Sequence, residues 1–332
     1  MSGKLVLVTG VTGFIAGHVA NQLLEKGYRV RGTTRGAKVQ TLRDTIKVAG
    51  LEFTQVDDVA TSDISEALKD VYAVVHVASP MPGRTGVDDT LNSAIDGTVN
   101  VLRQVEKAGI KKIVVTSSVG AILDPSLAPA FAGLNLTDSE WGVVTREQAQ
   151  EKADDPFYVY FASKILAERA VWEFVKEHPA VDVATILPGF VFGPFADHFP
   201  WPSKSGLGTN QLPWDLINGQ HPHVIPSWFV DVRDVAKGHI LALDVPPKPL
   251  EEKRYLINAG NFTWKQGAEY LKKARPELNV AEIDTFPDYL PGPLSTIDTT
   301  RAKQVLNFGD YIKPEKTVED VVDNLLEVSK TW

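Results

Sequence analysis

Short apolar runs alternate with helical periodicity along the first half of this 332-residue chain, and that alternation limits the folds open to it more than any other feature. Lys4–Thr9, Arg29–Thr33, Leu51–Val56, Ala73–Val77 and Lys112–Ser117 read as strands. Helical patterns fill the intervals at Phe14–Lys26, Lys38–Val48, Ile64–Lys69 and Asp89–Ala108. Runs such as Val74-Val75-His76-Val77 and Ile113-Val114-Val115 are apolar on both faces, which suits a parallel sheet covered on each side by helices. Alternation over this length predicts an α/β chain with a doubly wound parallel sheet. Asp182–Leu187 reads as a sixth strand, after which the alternation breaks down and a smaller C-terminal lobe is expected.

The first strand runs into Thr9-Gly10-Val11-Thr12-Gly13-Phe14-Ile15-Ala16-Gly17. Strand, tight turn and helix form a geometry that holds a phosphate: the glycines let backbone N–H groups approach it, and the helix start supplies unpaired donors. Ala16 stands where a third glycine is common, which is tolerable if that position only limits helix–strand packing. Ligands of such sheets sit beyond the carboxyl ends of the strands, so the residues after each strand carry the information.

After the second strand comes Thr33-Thr34-Arg35-Gly36-Ala37-Lys38. An NAD-binding sheet places an acid about 20 residues after the glycines, to bond the ribose 2′-hydroxyl. Here there are two hydroxyls and two cations but no acid. Arg35 and Lys38 suit a 2′-phosphate, unless they are simply solvated. After the third strand, Asp57-Asp58-Val59 offers an acid for an adenine amino group and a valine for the ring, and is equally compatible with a turn cap. After the fourth, the small residues of His76-Val77-Ala78-Ser79-Pro80-Met81-Pro82 let the backbone pass close to a flat ligand, while His76, inside an apolar run, reads as core. After the fifth, Thr116-Ser117-Ser118-Val119 carries a hydroxyl pair that either reaches the cleft or caps a turn. Ala121 to Pro156 reads as a loop excursion over the cleft.

A helical pattern then opens at Phe157 and runs to Glu177. Tyr160 and Lys164 share one of its faces, and Tyr160 is the only one of the eight tyrosines with a lysine four residues later. An ammonium beside a phenol is expected to lower the phenol's pKa and make it a usable proton donor or acceptor. Further on, a segment near Phe229-Val230, helices at Asp234–Leu243, Thr263–Lys273 and Val318–Val328 and a strand near Arg254–Ile257 are expected. The aromatic content of this part predicts an apolar pocket. His221-Pro222-His223 lacks a third ligand nearby and reads as a loop. The chain contains no cysteine, which removes disulfides, thiolate metal sites and thiol nucleophiles. A net charge of -8 without basic runs argues against nucleic acid. No apolar run is long enough to span a bilayer, and Met1-Ser2-Gly3-Lys4 leads directly into a strand, so a cytosolic protein without a leader is expected.

Together these residues resemble the extended short-chain dehydrogenase/reductases, and more narrowly the branch that holds dihydroflavonol reductases and fungal and yeast ketoreductases. The resemblance rests on Thr9-Gly10-x-x-Gly13-Phe14-Ile15-Ala16, His76-Val77-Ala78-Ser79-Pro80, Thr116-Ser117-Ser118, Tyr160-x-x-x-Lys164 and Pro188-Gly189-x-Val191-x-Gly193-Pro194. It extends to Phe229-Val230-Asp231-Val232-Arg233-Asp234-Val235-Ala236 and Asp298-Thr299-Thr300-Arg301-Ala302. It implies a Rossmann-type dinucleotide-binding domain over 1–190, with 229–258 returning to it, and a substrate-binding lobe over 191–332. It implies Ser118, Tyr160 and Lys164 as the catalytic set. NADPH would lie along Gly10, Gly13, Phe14, Ile15, Arg35, Lys38, Asp58, Val59, Val77, Ala78, Ser79 and Thr116, with Pro188, Gly189 and Val191 at the nicotinamide end. The expected activity is NADPH-dependent reduction of a small carbonyl compound to a chiral alcohol. Pro80, Met81, Val119, Phe157, Phe195 and Trp201 are the candidate substrate pocket. An NAD-dependent nucleotide-sugar epimerase or dehydratase is the alternative, disfavoured by the missing acid and the apolar cleft loops. A non-catalytic dinucleotide sensor is more remote, since Tyr160 and Lys164 are both present.

Overall fold

The computed structural model describes residues 3–79, 85–249, 252–286 and 290–332. Its first half contains β1 (Leu5–Val8), α1 (Phe14–Glu25), β2 (Arg29–Thr34), α2 (Lys38–Thr45), β3 (Leu51–Gln55), β4 (Val71–His76), α3 (Val87–Lys107) and β5 (Lys112–Thr116). Then come β6 (Asn135–Leu136), α4 (Arg146–Glu151), α5 (Pro156–Glu177), β7 (Asp182–Pro188), β8 (Phe190–Phe192), α6 (Gln211–Ile217), β9 (Trp228–Asp231) and α7 (Val232–Asp244). The chain closes with β10 (Arg254–Ile257), β11 (Gly260–Asn261), α8 (Trp264–Ala274), β12 (Thr296–Ile297), α9 (Thr300–Val305) and α10 (Pro314–Ser329).

The central sheet has seven strands in the order β10-β7-β5-β4-β1-β2-β3, every neighbouring pair parallel. This is the doubly wound sheet that the alternation predicts. β1 shows why both faces had to be apolar. Val6 and Val8 join the layer with α1 and α7, whereas Leu5 and Leu7 join the layer with α3 and α5. Strand order reverses beside β1, between β2 on one side and β4 on the other, and the crevice at such a switch point is where ligands bind. Ala16 is fully buried in the first of these layers, so a methyl group fits where a third glycine is common.

Two expectations fail. Ile64–Lys69 is a pair of turns rather than a helix, with the Leu68 N–H shared between the carbonyls of Ile64 and Ser65 at 3.1 and 3.2 Å. Side chains take the N–H groups at its start: Gln104 of α3 accepts that of Ile64 at 2.7 Å, and Asp63 that of Ser65 at 2.8 Å. The stretch from Ala121 to Pro156 is an ordered layer, not a loose excursion. It carries β6, which pairs with β12, and α4, and it buries Leu123, Ala130 and Leu136 against Leu187, Trp228 and Leu256.

β8, β9 and β11 form a second, three-stranded sheet, while β10 returns to the edge of the main one. Aromatic residues of the C-terminal part mostly fill its core: Phe192 stacks on Phe229 at 4.8 Å and meets the edge of Trp264 at 5.0 Å. The loop after β8 is fastened to α1, where His18 Nε2 donates to the Pro194 carbonyl at 2.8 Å and Asn21 Nδ2 to that of Asp197 at 3.1 Å.

Candidate active site

The glycine turn lies at the switch point. Gly10 has φ +64°, a backbone conformation that disfavours side chains, and a Cβ there would approach the Ala78 Cβ to 3.1 Å. β1 and the turn after β4 can therefore touch only at a glycine. The Gly10 N–H donates to Thr33 Oγ1 at 3.0 Å, and Gly13 N–H to the Gly10 carbonyl at 2.8 Å. Gly13 begins α1 without a side-chain cap, and the first helical turn carries no acid. The Phe14 and Ile15 side chains pack inward, so their backbone N–H groups, at the positive end of the helix, face an anion uncontested. This turn fits a pyrophosphate.

Thr9 organises the next wall. Its Oγ1 accepts the N–H groups of Val77 and Ala78, both at 3.0 Å, and lies 2.9 Å from His76 Nδ1. With both lone pairs taken, the hydroxyl proton goes to His76 Nδ1. Burial holds His76 down to about 4, so it is a neutral core residue, as the apolar run implied. Thr116 likewise gives its proton to His239 Nε2 at 2.7 Å, because His239 Nδ1 donates to the Val235 carbonyl. Thr116 can therefore meet a ligand only as an acceptor.

The hydroxyl pair after β5 divides. Ser117 Oγ donates to Glu168 at 2.8 Å, inside a buried network in which Glu168 also accepts from Trp172, Thr185 and Arg254. Ser118 starts a short 3₁₀ turn over Val119–Ile122, and its Oγ accepts the Gly120 N–H at 3.1 Å, which leaves its own proton to give. That turn lies directly on α5: a Cβ at Gly120 would run into the Phe161 ring, next to Tyr160. α5 itself begins where Asp155 caps the N–H groups of Phe157 and Tyr158 at 3.1 and 3.0 Å, with Pro156 in the first turn.

Lys164 Nζ stands 5.5 Å from the centre of the Tyr160 ring and donates to Ser79 Oγ at 2.8 Å. The expected depression of the Tyr160 pKa is not found. Burial pushes the phenol up to about 12, and burial brings the Lys164 ammonium down to about 8, against a smaller upward pull from Glu168. Loss of water around each group sets the direction of both shifts. The result is a phenol that keeps its proton at neutral pH beside a cation close to its own titration. Lys164, Ser79, His76, Thr116, Ser117, Glu168 and Thr185 also border a small internal cavity of about 20 Å³.

After β2, Arg35 and Lys38 are exposed. The Asp58 carboxylate caps its own turn, accepting from Ala60 N at 2.9 Å and Thr61 Oγ1 at 3.1 Å, and the Val59 carbonyl accepts from Asn100 of α3 at 2.8 Å. Pro188 ends β7, and Gly189 and Val191 lead into β8 in the second sheet, where Thr209 bonds the Val191 carbonyl. Of the substrate-pocket candidates, Pro80 and Met81 lie outside the described residues. Val119 is buried, Phe157 is half exposed with its ring 6.3 Å from that of His223, and Trp201 is exposed. Phe195 packs on Phe14 at 5.4 Å and into a cluster with Leu207, Val321 and Leu325, so it braces the phosphate turn. His221 donates to the Glu282 carbonyl at 3.2 Å, and its ring lies 4.6 Å from Phe286.

Glu168 escaped the reading of the sequence, although it had a visible signal, its position one turn beyond Lys164 on the same helix face. Asp57 was read only within the acidic turn Asp57-Asp58-Val59; its bond to Gly36, 21 residues away after β2, had no local signal.

Residues 6–258 match the family described as NAD dependent epimerase/dehydratase. A Schizosaccharomyces pombe protein described as an uncharacterized oxidoreductase is 39% identical over 296 residues, covering 83% of this chain and 84% of that protein. Ketoreductase azaE of Aspergillus niger is 33% identical over 344 residues, 98% of each chain. Among solved structures, Candida albicans Gre2 in complex with NADPH is similar with a TM-score of 0.81 at 29% identity, covering 98% of this chain and 99% of that one.

Proposed function

The chain belongs to the NAD dependent epimerase/dehydratase family, and we propose that its reaction there is the NADPH-dependent reduction of a ketone or aldehyde. Support comes from the Aspergillus niger ketoreductase and the NADPH-bound Gre2 of Candida albicans. The observation that carries the reading is Tyr160, a protonated phenol on the same helix face as a buried ammonium that is tied to the turn after β4.

NADPH, when bound, would supply a hydride to the carbonyl carbon. Ser118, with its proton free, donates to the carbonyl oxygen and stabilises the negative charge that develops there. Tyr160 gives its phenolic proton to that oxygen; an alkoxide is a much stronger base than a phenolate, so a phenol near 12 is a competent acid. Lys164 would bond the nicotinamide ribose and stabilise the phenolate until solvent returns the proton. Arg35 and Lys38 would hold the 2′-phosphate, Asp58 and Val59 the adenine, the turn from Gly10 to Ile15 the pyrophosphate, and Pro188, Gly189 and Val191 the nicotinamide. A ketone with two different substituents yields a chiral alcohol. The substrate is a small carbonyl compound, with Val119, Phe157 and Trp201 as the candidates for its pocket.

The test is NADPH oxidation with a panel of aryl ketones, β-keto esters and diketones. Tyr160→Phe should lower kcat by roughly 10²–10⁴-fold and leave NADPH affinity within about threefold. Retained turnover in that variant overturns the assignment of the proton donor.

A further inference from the structure

We propose that Asp57 limits how strongly this chain prefers a 2′-phosphorylated dinucleotide, because its carboxylate brings to the turn after β2, from the neighbouring strand, the negative charge that this turn lacks in its own sequence. The inference rests on the dinucleotide reading above and adds a residue that sets cofactor selectivity.

β2 and β3 run parallel with Thr34 opposite Gln55, and the Val56 N–H donates to the Thr34 carbonyl at 2.9 Å. Two residues beyond that pair, the chains bring Gly36 and Asp57 level. The Gly36 N–H donates to Asp57 Oδ1 at 2.6 Å, and Gln55 Nε2 donates to both carboxylate oxygens, at 3.0 and 2.8 Å. Gly36 has φ +52° and separates Arg35 from the start of α2 at Lys38. The acid is thus bonded to the residue next to Arg35, inside the cation pair assigned to the 2′-phosphate. Hydrogen bonds from Gln55 and Gly36 hold the Asp57 carboxyl below the usual carboxylate range, so it is charged at neutral pH.

An ionised carboxylate has about four acceptor positions. Gly36 and Gln55 occupy three here, which leaves one for a ribose 2′-hydroxyl. A 2′-phosphate in the same place meets a like charge, which Arg35 and Lys38 must outweigh. Both effects narrow the gap between NADPH and NADH, the first by helping NADH and the second by hindering NADPH.

Asp57→Asn separates charge from architecture, since the amide keeps an oxygen for the Gly36 N–H. The dissociation constants of NADPH and NADH are measured by tryptophan fluorescence titration on the wild type and this variant. The ratio of NADH to NADPH dissociation constants should rise about fivefold in Asp57→Asn at low salt, as expected for removing one exposed charge beside a phosphate. The gain should shrink at ~0.5 M KCl, where exposed charges are screened within a few ångströms. An unchanged or reduced ratio, or a change indifferent to salt, overturns the proposal while the NADPH reading stands. Wild-type protein that binds neither nucleotide overturns both.

Discussion

The Lys164 ammonium donates to the Ser79 hydroxyl across 2.8 Å and so joins the middle of α5 to the turn that follows β4. Burial leaves this lysine titrating near 8 rather than 10.5. If the charged form supports turnover, kcat falls as pH rises through about 8, while the phenol of Tyr160, near 12, stays protonated. Stability moves the other way. Between pH 8 and 10 the unfolded chain keeps a proton on this lysine that the folded chain has released, so the folded state gains stability as pH rises. Rate profiles and urea midpoints across that window should have opposite slopes. In Lys164→Met the gain in urea midpoint should disappear.

On the acid side the relevant groups are His76 and His239, both buried and both held near 4 against an ordinary 6.5. The unfolded chain takes up a proton at each as pH drops through 6.5, and the folded chain resists until about 4. Stability is therefore full above 6.5 and is lost on the way down to 4, by about 3 kcal/mol for each histidine. Asp234 opposes this. Burial raises it to about 6, so the folded form takes up its proton first and gains stability as pH falls below that value. The net slope from 6 to 4 should be close to one proton. His239→Gln should flatten it, measured as urea unfolding free energies at several pH values.

Tyr160 and Lys164 also show how far the sequence was legible. The sheet was readable because apolar runs with helices between them admit few alternatives, and because Val6 and Leu7 must both be buried. The face shared by Tyr160 and Lys164 was readable from helix geometry alone. The direction of the Tyr160 shift was not. It depends on how much water the phenol loses, which is set by the packing of distant segments around it. Gly36 and Asp57 meet through the register of two strands, which no local pattern encodes. Ile64–Lys69 had helical spacing, but the Ile64 N–H goes to Gln104 on α3 and the Ser65 N–H to Asp63, contacts that the spacing does not show.

Glu168 and Arg254 form an ion pair at 2.9 Å with side chains that are 0% and 4% exposed. Arg254 also stacks on Trp141, 3.6 Å from the ring centre, and donates to the carbonyls of Asp138 and Glu140, so the pair fastens the layer after β5 onto α5. Glu168→Gln leaves a buried guanidinium without its counter-charge and should cost about 3–5 kcal/mol. Thermal unfolding should report it as a Tm lower by about 4–7 °C.

Gly120 tests the contact that seats the turn after Ser118 on α5. A methyl group there meets the Phe161 ring, which is 3% exposed and has no open space into which to swing. Either α5 or the 3₁₀ turn over Val119–Ile122 must shift. Gly120→Ala should therefore cost about 1–3 kcal/mol of stability by overpacking. It should cost more in rate, since a displacement near 1 Å between a donor and the reacting oxygen is worth about 10²-fold. NADPH affinity should hold, because the pyrophosphate turn at Gly10 and the cations at Arg35 and Lys38 lie on other elements. The diagnostic result is kcat lowered about a hundredfold with an unchanged NADPH dissociation constant. Equal losses in both would mean that the turn after β5 holds the cofactor rather than the carbonyl oxygen.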